Sequence, residues 1–182
     1  MKFFAKPTDV IKIETDLVAV FASSEEARKV DAALGGMLTE VATAEDFEAK
    51  TGNILLVHTH GEIPAKRVAL VGLGKPSELT VADLQTIAAK IGRKAKEVAA
   101  KSVAVSLPKE LIDIFSAERA SQVIVEGLML GTYTFSKHKS EETRKKEKHI
   151  EDVFILTTPP RLNAVAAGIS RGESVSQAVN FA

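Results

Sequence analysis

The sequence predicts an α/β domain with three layers, α/β/α, built around a mixed β-sheet. Short apolar runs typical of strands alternate along the chain with segments of helical periodicity, which favours helices packed on a sheet. Two neighbouring runs are joined by a loop too short to hold a crossover helix, so they are expected to pair antiparallel. The second of them, residues 68–73, lacks polar alternation, as expected for a strand covered on both faces.

Composition favours one soluble globular domain. The chain has 182 residues, 45% of them apolar, and its 24 basic residues balance 24 acidic ones, which argues against a surface built to hold polyanions. A chain of this length buries roughly 70% of the surface exposed by its unfolded form. Because it has no cysteine, disulfides and thiolate metal sites are excluded. It shows no signal peptide and no apolar run near the roughly 20 residues of a membrane span, which predicts a cytoplasmic protein without membrane contact.

The first half of the chain predicts a strand, a helix and an antiparallel pair. Residues 17–22 form an apolar run rich in β-forming residues, and residues 25–34 have the pattern of a helix that Gly35 and Gly36 end. Residues 53–58 and 68–73 are the two runs that pair across the short loop.

A helix at residues 81–100 has the clearest start signal in the chain. Thr80 can cap it, Asp83 completes a capping box, and Leu79 can pack on Leu84. One face is apolar, which predicts packing on the sheet. That face carries Leu84, Ile87, Ala88, Ile91, Ala95 and Val98.

The second half continues the alternation of strands and helices. A strand at residues 103–107 is followed by a turn at Pro108 and a densely apolar helix at residues 117–131. A strand at residues 153–156 and a last helix after Pro160 complete the predicted domain.

His58 and His60 are the candidate metal ligands. Residues two apart on a strand point to the same face, which suits two ligands. A zinc site needs at least a third protein ligand, so the sequence favours two histidines at a strand end. No catalytic, cofactor-binding or metal-binding residue is predicted in this chain.

Residues 72–75 (GLGK) are the candidate phosphate loop. They follow a strand and precede a helix, where backbone amides can hold a phosphate. The third glycine of a dinucleotide-binding motif is missing, and Pro76 follows Lys75 where a P-loop requires Ser or Thr. We therefore expect a tight turn, with phosphate binding as the alternative.

Residues 126–131 (EGLMLG) place two glycines four apart on an apolar helix. Glycines at this spacing let backbones approach closely, so we expect a buried helix packed tightly on the sheet and no ligand role.

Two segments are basic enough to suggest contact with nucleic acid. Residues 136–149 carry six Lys or Arg against three Glu, and the outer face of the 81–100 helix is also basic. Few aromatic residues accompany these charges, which favours a solvated surface over a nucleic-acid partner. The basic residues of this face are Lys90, Arg93, Lys94 and Lys96, with Lys101 directly after the helix.

Several motifs occur together in a recognisable order. They are residues 68–75 (VALVGLGK), 78–80 (ELT), Arg93 and Lys94 on the long helix, 126–135 (EGLMLGTYTF) before the lysine-rich segment, and 168–182. In order and spacing they resemble the N-terminal domain of the leucyl (cytosol) aminopeptidase family. The last segment resembles the helix that leads into that family's catalytic domain. The resemblance spans nearly the whole chain, although the first fifty residues match loosely.

This resemblance implies a fold similar to macro domains and a parent enzyme that removes N-terminal amino acids from peptides with two divalent metals, zinc or manganese. In that family the metal ligands and the Lys and Arg that assist them belong to the C-terminal domain, and its N-T-D-A-E-G-R loop is absent from this sequence. No functional residue therefore carries over. The implied partners are the catalytic domain, the parent's peptide substrates and, in a hexamer, copies of the same chain.

The resemblance divides the chain into a non-catalytic domain, residues 1–160, and the start of a connecting helix, residues 161–182. An apolar stripe of Val175, Ala178, Val179 and Ala182 still runs where the sequence stops, so we expect a catalytic domain beyond it and no peptide hydrolysis by this chain alone. The alternatives are a macro-like module that binds ADP-ribose or a nucleotide, and a domain that contacts DNA.

Overall fold

The computed structural model describes residues 1–133 and 149–180. Their strands are β1 (Lys2–Lys6), β2 (Leu17–Phe21), β3 (Ile54–His58), β4 (Arg67–Val71), β5 (Ser102–Ser106) and β6 (Asp152–Leu156). Their helices are α1 (Glu25–Ala33), α2 (Met37–Ala44), α3 (Val81–Glu97), α4 (Lys109–Phe115), α5 (Ala117–Thr132) and α6 (Leu162–Asn180). Within this part of the chain, no helix combines the length and hydropathy needed to span a membrane.

The strands of the described chain form one mixed sheet in the order β1-β6-β5-β2-β4-β3. Every neighbouring pair is parallel except β3 with β4, which run antiparallel with Leu55 opposite Leu70. The predicted mixed sheet and antiparallel pair are therefore confirmed. As predicted for a strand covered on both faces, β4 is buried from Val68 to Val71.

Helices cover both faces of the sheet and form two cores. On strand β2, Leu17, Ala19 and Phe21 belong to the core under α3, α5 and α6, whereas Val18 and Val20 belong to the core under α1 and α2. This split follows from the two-residue period of a strand. The three-layer α/β/α prediction is confirmed.

Three elements were not predicted, and each lacks a local signal. Strand β1 carries Lys2 and Lys6 at its ends, and it pairs with β6, which is remote in the sequence. Helices α2 and α4 have only 8 and 7 residues, too short for a clear periodic pattern. Helix α3 ends at Glu97, earlier than predicted, because Ala99 adopts a left-handed conformation with φ of 56°. The predicted basic segment 136–149 lies outside the described residues except for His149.

The predicted start of α3 is confirmed in detail. The backbone amide of Asp83 donates to Thr80 Oγ1 at 3.2 Å, and the amide of Thr80 donates to Asp83 Oδ2 at 3.0 Å. Leu79 and Leu84 are both buried in the same core. This capping box fixes where the chain leaves the loop after β4 and begins to cover the sheet.

Helix α5 lies between α3 and α6, and glycines line both contacts. A Cβ added to Gly131 would lie 2.2 Å from the Ala89 carbonyl oxygen of α3. On the other side, a Cβ added to Gly168 of α6 would lie 2.1 Å from the Glu118 carbonyl oxygen of α5. The predicted close approach is confirmed, but the backbones that approach Gly127 and Gly131 are those of helix α3 and not of the sheet.

Asp16 joins three segments at the amino ends of the strands. Its Oδ2 accepts hydrogen bonds from the backbone amides of Lys101 at 2.8 Å and Ser102 at 3.2 Å, and its Oδ1 pairs with Lys66 Nζ at 2.6 Å. Burial alone would raise the pKa of Asp16, but these hydrogen bonds outweigh it and hold the pKa below its ordinary value of 3.8. The ionised carboxylate therefore stabilises the folded chain.

Replacing Gly131 by alanine should destabilise the domain by about 2 kcal/mol or more, because the new methyl group would force α5 away from α3. Gly35→Ala is the control: its surroundings are open and only its φ of 64° opposes alanine, which costs about 1 kcal/mol. Urea denaturation of both variants measures the difference. Equal losses would contradict the close helix contact.

Replacing Asp16 by asparagine should lower the free energy of unfolding by about 1–2 kcal/mol at pH 7. Because the folded-state pKa lies below 3.8, this stabilisation is present above that pH and is lost as the pH falls through the folded-state value. Urea denaturation at several pH values should therefore show the two proteins converging in acid. Asp113→Asn, in an exposed pair with Lys109, should change stability by less than about 0.5 kcal/mol. If the difference in unfolding free energy between Asp16→Asn and the unsubstituted chain did not change with pH, the stabilising role of the charge would be refuted.

Candidate functional site

The glycine loop after β4 is closed by backbone hydrogen bonds. The amide of Gly72 donates to the Asn53 carbonyl and that of Gly74 to the Ala49 carbonyl, both at 2.9 Å. Gly74 has a φ of 69°, and a Cβ on Gly72 would lie 2.2 Å from the Lys50 carbonyl oxygen. These glycines therefore serve a tight turn, as predicted, and their two amides are not free to hold a phosphate.

The two histidines lie near each other at the end of β3. His58 is the last residue of the strand, His60 follows in a turn with a φ of 52°, and their ring centroids are 6.2 Å apart. Among residues 1–133 and 149–180, no group of three or more His, Asp or Glu could hold a metal ion. The described donor set thus does not fit a two-metal hydrolase centre, which needs converging carboxylates.

The basic face of α3 is largely engaged in internal contacts. Lys90 Nζ donates to the Gly52 carbonyl and Lys96 Nζ to the Thr132 carbonyl, both at 3.1 Å. Lys94 pairs with Glu97 at 2.8 Å. Two of these lysines therefore tie α3 to its neighbours, which holds their ammonium groups against the protein and leaves fewer of their N–H groups available to a phosphate.

A crevice of about 420 Å³ lies at the carboxyl ends of β1, β6 and β5, beside the first turn of α1. The chain runs from β2 outward to β3 and β4 and then returns to β5 on the other side, so the strand order reverses between β2 and β5. In open α/β sheets, ligands bind outside the carboxyl ends of the strands, at such a point. The crevice lies next to it, because β5 is one of the two strands involved and α1 directly follows β2, which makes the crevice a candidate site.

Polar side chains in the crevice lack hydrogen-bond partners. Ser106 Oγ, Thr157 Oγ1 and Glu26 Oε2 are buried and have no partner in the described part of the chain. Ser106 is only 1% exposed. Buried polar atoms are nearly always paired, so three unpaired oxygens around one cavity indicate that a ligand or water completes them.

Sequence reasoning missed these residues for a physical reason. Ser106 and Leu156 are register partners at the ends of β5 and β6, Thr157 is the next residue after β6, and Glu26 lies in the first turn of α1. These three residues line one crevice only once the sheet and α1 are in place. The only sequence signal for this site is a polar residue at the end of each of two apolar strands. Because polar residues are common at strand ends, this signal does not single out a binding site.

A larger groove, of about 750 Å³, lies between α1 and α2. Arg28 donates to the Ser23 carbonyl, and Asp31 accepts from the backbone amide of Thr39. Because none of the described residues that line this groove has a buried polar atom without a partner, it is the weaker candidate despite its size.

Comparison with known proteins places the chain in a family. Residues 17–142 match the sequence model described as "Cytosol aminopeptidase family, N-terminal domain". The chain belongs to this family. The probable cytosol aminopeptidase of Alkaliphilus metalliredigens is 35% identical over 154 residues, which cover 84% of this chain and 31% of that protein. The chain thus spans about a third of the length of the curated relatives that it matches.

Solved structures agree with this assignment. A mutant of tomato leucine aminopeptidase is similar with a TM-score of 0.78 and 25% identity, covering 97% of this chain and 36% of that one. The macro domain of ganglioside induced differentiation associated protein 2 is similar with a TM-score of 0.69 and 13% identity, covering 93% of this chain and 85% of that one. The second likeness shows the fold alone, and it confirms the macro-domain-like architecture.

Proposed function

We propose that this chain is the non-catalytic N-terminal domain of a leucyl aminopeptidase, a cytoplasmic enzyme that removes N-terminal amino acids from peptides. The observation that carries the proposal is the match of residues 17–142 to the N-terminal domain of the cytosol aminopeptidase family. The share of each relative that the chain covers, about a third, supports a catalytic domain in the remainder of the parent.

The metal chemistry of the parent is assigned to that catalytic domain. Two divalent ions, zinc or manganese, are expected there, as membership of the cytosol aminopeptidase family implies. The domain's own contribution is then structural, in the assembly of a hexamer or the regulation of the parent.

Exposed apolar residues support an assembly role. Helix α6, within residues 161–182, is anchored to α5 at Gly168 and Gly172, whereas Val175 is 44% exposed. Leu130 and Tyr133, at the end of α5, are 52% and 53% exposed. Apolar residues left in solvent at the ends of two neighbouring helices suit contact with another domain or subunit.

The other proposed roles receive less support. A macro-like site for ADP-ribose or a nucleotide in residues 72–75 would need the amides that Gly72 and Gly74 already donate to the backbone. Contact with DNA through α3 would need lysines that already bind Gly52 and Thr132.

The purified 182-residue chain should not hydrolyse leucine p-nitroanilide, with or without added manganese, because its described side chains form no ion site. The native gene should continue in frame past codon 182 and encode the missing carboxylates, and the longer product should be active. Spectrophotometric assay of column fractions checks the first expectation and DNA sequencing the second. Turnover that co-elutes with the short chain, or a stop codon after codon 182, would overturn the proposal.

Replacing Val175 by aspartate in the longer product should reduce its assembly, because the charge would have to be buried in the proposed contact. Analytical ultracentrifugation should show a smaller species. Ile114→Asp is the matched control, since Ile114 is 40% exposed on α4, away from this surface. The assembly role would be rejected if Val175→Asp and Ile114→Asp left the same oligomer.

A further inference from the structure

Among the described residues, one acidic and one basic side chain of the crevice at the carboxyl ends of β1, β6 and β5 have no hydrogen-bond or salt-bridge partner, whereas the carboxylate of Asp9 accepts the backbone amide of Ile11 at 3.2 Å. Glu26 Oε2 is buried without a hydrogen-bond donor. Arg161 lies at the same cavity and has no acidic partner in the described chain. Lys29 and Lys109, by contrast, pair with Glu25 and Asp113. A ligand that supplies one cation and one anion would therefore satisfy both remaining charges.

The overall charge of the crevice favours a ligand without net charge. Its acidic residues Asp9, Glu25 and Glu26 are matched in number by Lys29, Lys109 and Arg161. A polyanion such as a dinucleotide would bring several negative charges close to three carboxylates. A zwitterion adds no net charge and can place each pole against a group of opposite sign.

The rest of the wall is apolar and hydroxylic. Val10, Leu107 and Leu156 line the cavity and are each no more than 5% exposed. Ser106 and Thr157 add hydroxyl groups that have no partner within residues 1–133 and 149–180 and can accept hydrogen bonds from an ammonium group. A volume of about 420 Å³ lies within the range of small-molecule sites.

We infer that this crevice binds a free amino acid or a short peptide with an apolar side chain. Glu26, Ser106 and Thr157 receive its ammonium group, Arg161 receives its carboxylate, and the apolar wall receives its side chain. This ligand class follows from the crevice residues alone and does not depend on the proposed function.

Isothermal titration calorimetry of the 182-residue chain tests the ligand class. Leucine and leucylglycine should bind, whereas N-acetylleucine, which lacks the ammonium group, and leucinamide, which lacks the carboxylate, should each bind about tenfold more weakly or worse. ADP-ribose serves as the polyanionic comparison. The inference is overturned if leucine and leucylglycine show no heat at about 10 mM, if the blocked analogues bind as well, or if ADP-ribose binds more tightly.

Substitutions at Glu26 and Arg161 test whether these two side chains bind the ligand. Glu26→Gln and Arg161→Gln should each weaken leucylglycine binding about tenfold, because each removes one charged partner. Glu40→Gln and Arg93→Gln, at exposed positions away from the crevice, are the matched controls and should leave binding unchanged.

Ser106→Ala separates a loss of ligand binding from a loss of folding. Its hydroxyl has no partner among the described residues, so its loss should leave the urea midpoint unchanged and still weaken binding. Full affinity in Ser106→Ala together with Glu26→Gln and Arg161→Gln would place the ligand elsewhere and refute the assignment.

Discussion

The close approach of α5 to α3 and α6 is the constraint on which this domain depends. These three helices pack on one face of the sheet, and their backbones approach closely because no side chain separates them at Gly127, Gly131, Gly168 and Gly172. Dispersion contacts are lost quickly with distance, so a single methyl group at such a point loosens the packing of the entire layer. The position of that layer in turn fixes the strands whose ends form the crevice.

The two ends of the sheet differ in how fully their polar groups are satisfied. At the amino ends, the carboxylate of Asp16 accepts hydrogen bonds from two backbone amides and from Lys66, so both of its oxygens have partners within the fold. At the carboxyl ends, Ser106 and Glu26 each have a buried oxygen without a partner in the described part of the chain. Unsatisfied buried groups oppose folding, so they persist more readily where another molecule completes them. This asymmetry separates the end of the sheet where Asp16 stabilises the fold from the end where we propose that a ligand binds.

Local signals predicted the parts of the fold that depend on local physics. The capping box of α3 and the short loop between β3 and β4 each act within a few residues, and both were predicted correctly. Strand β1 was missed because its pairing with β6 joins the two ends of the domain. The crevice was missed for the same reason, since Glu26, Ser106 and Thr157 meet only after the sheet has formed. Sequence patterns therefore predicted the layers better than the site.

The likeness to macro domains shows how little a shared fold decides about binding. The glycine loop after β4 and the crevice beside α1 both lie at the carboxyl ends of the strands, yet they differ in whether their polar groups have partners. The loop after β4 is closed, because the amides of Gly72 and Gly74 are bound to the segment before β3. The crevice beside α1 remains open and carries an unpaired Glu26 and Arg161. Which molecule such an edge binds is thus determined by the polar groups left without partners, and a fold comparison at 13% identity does not report on them.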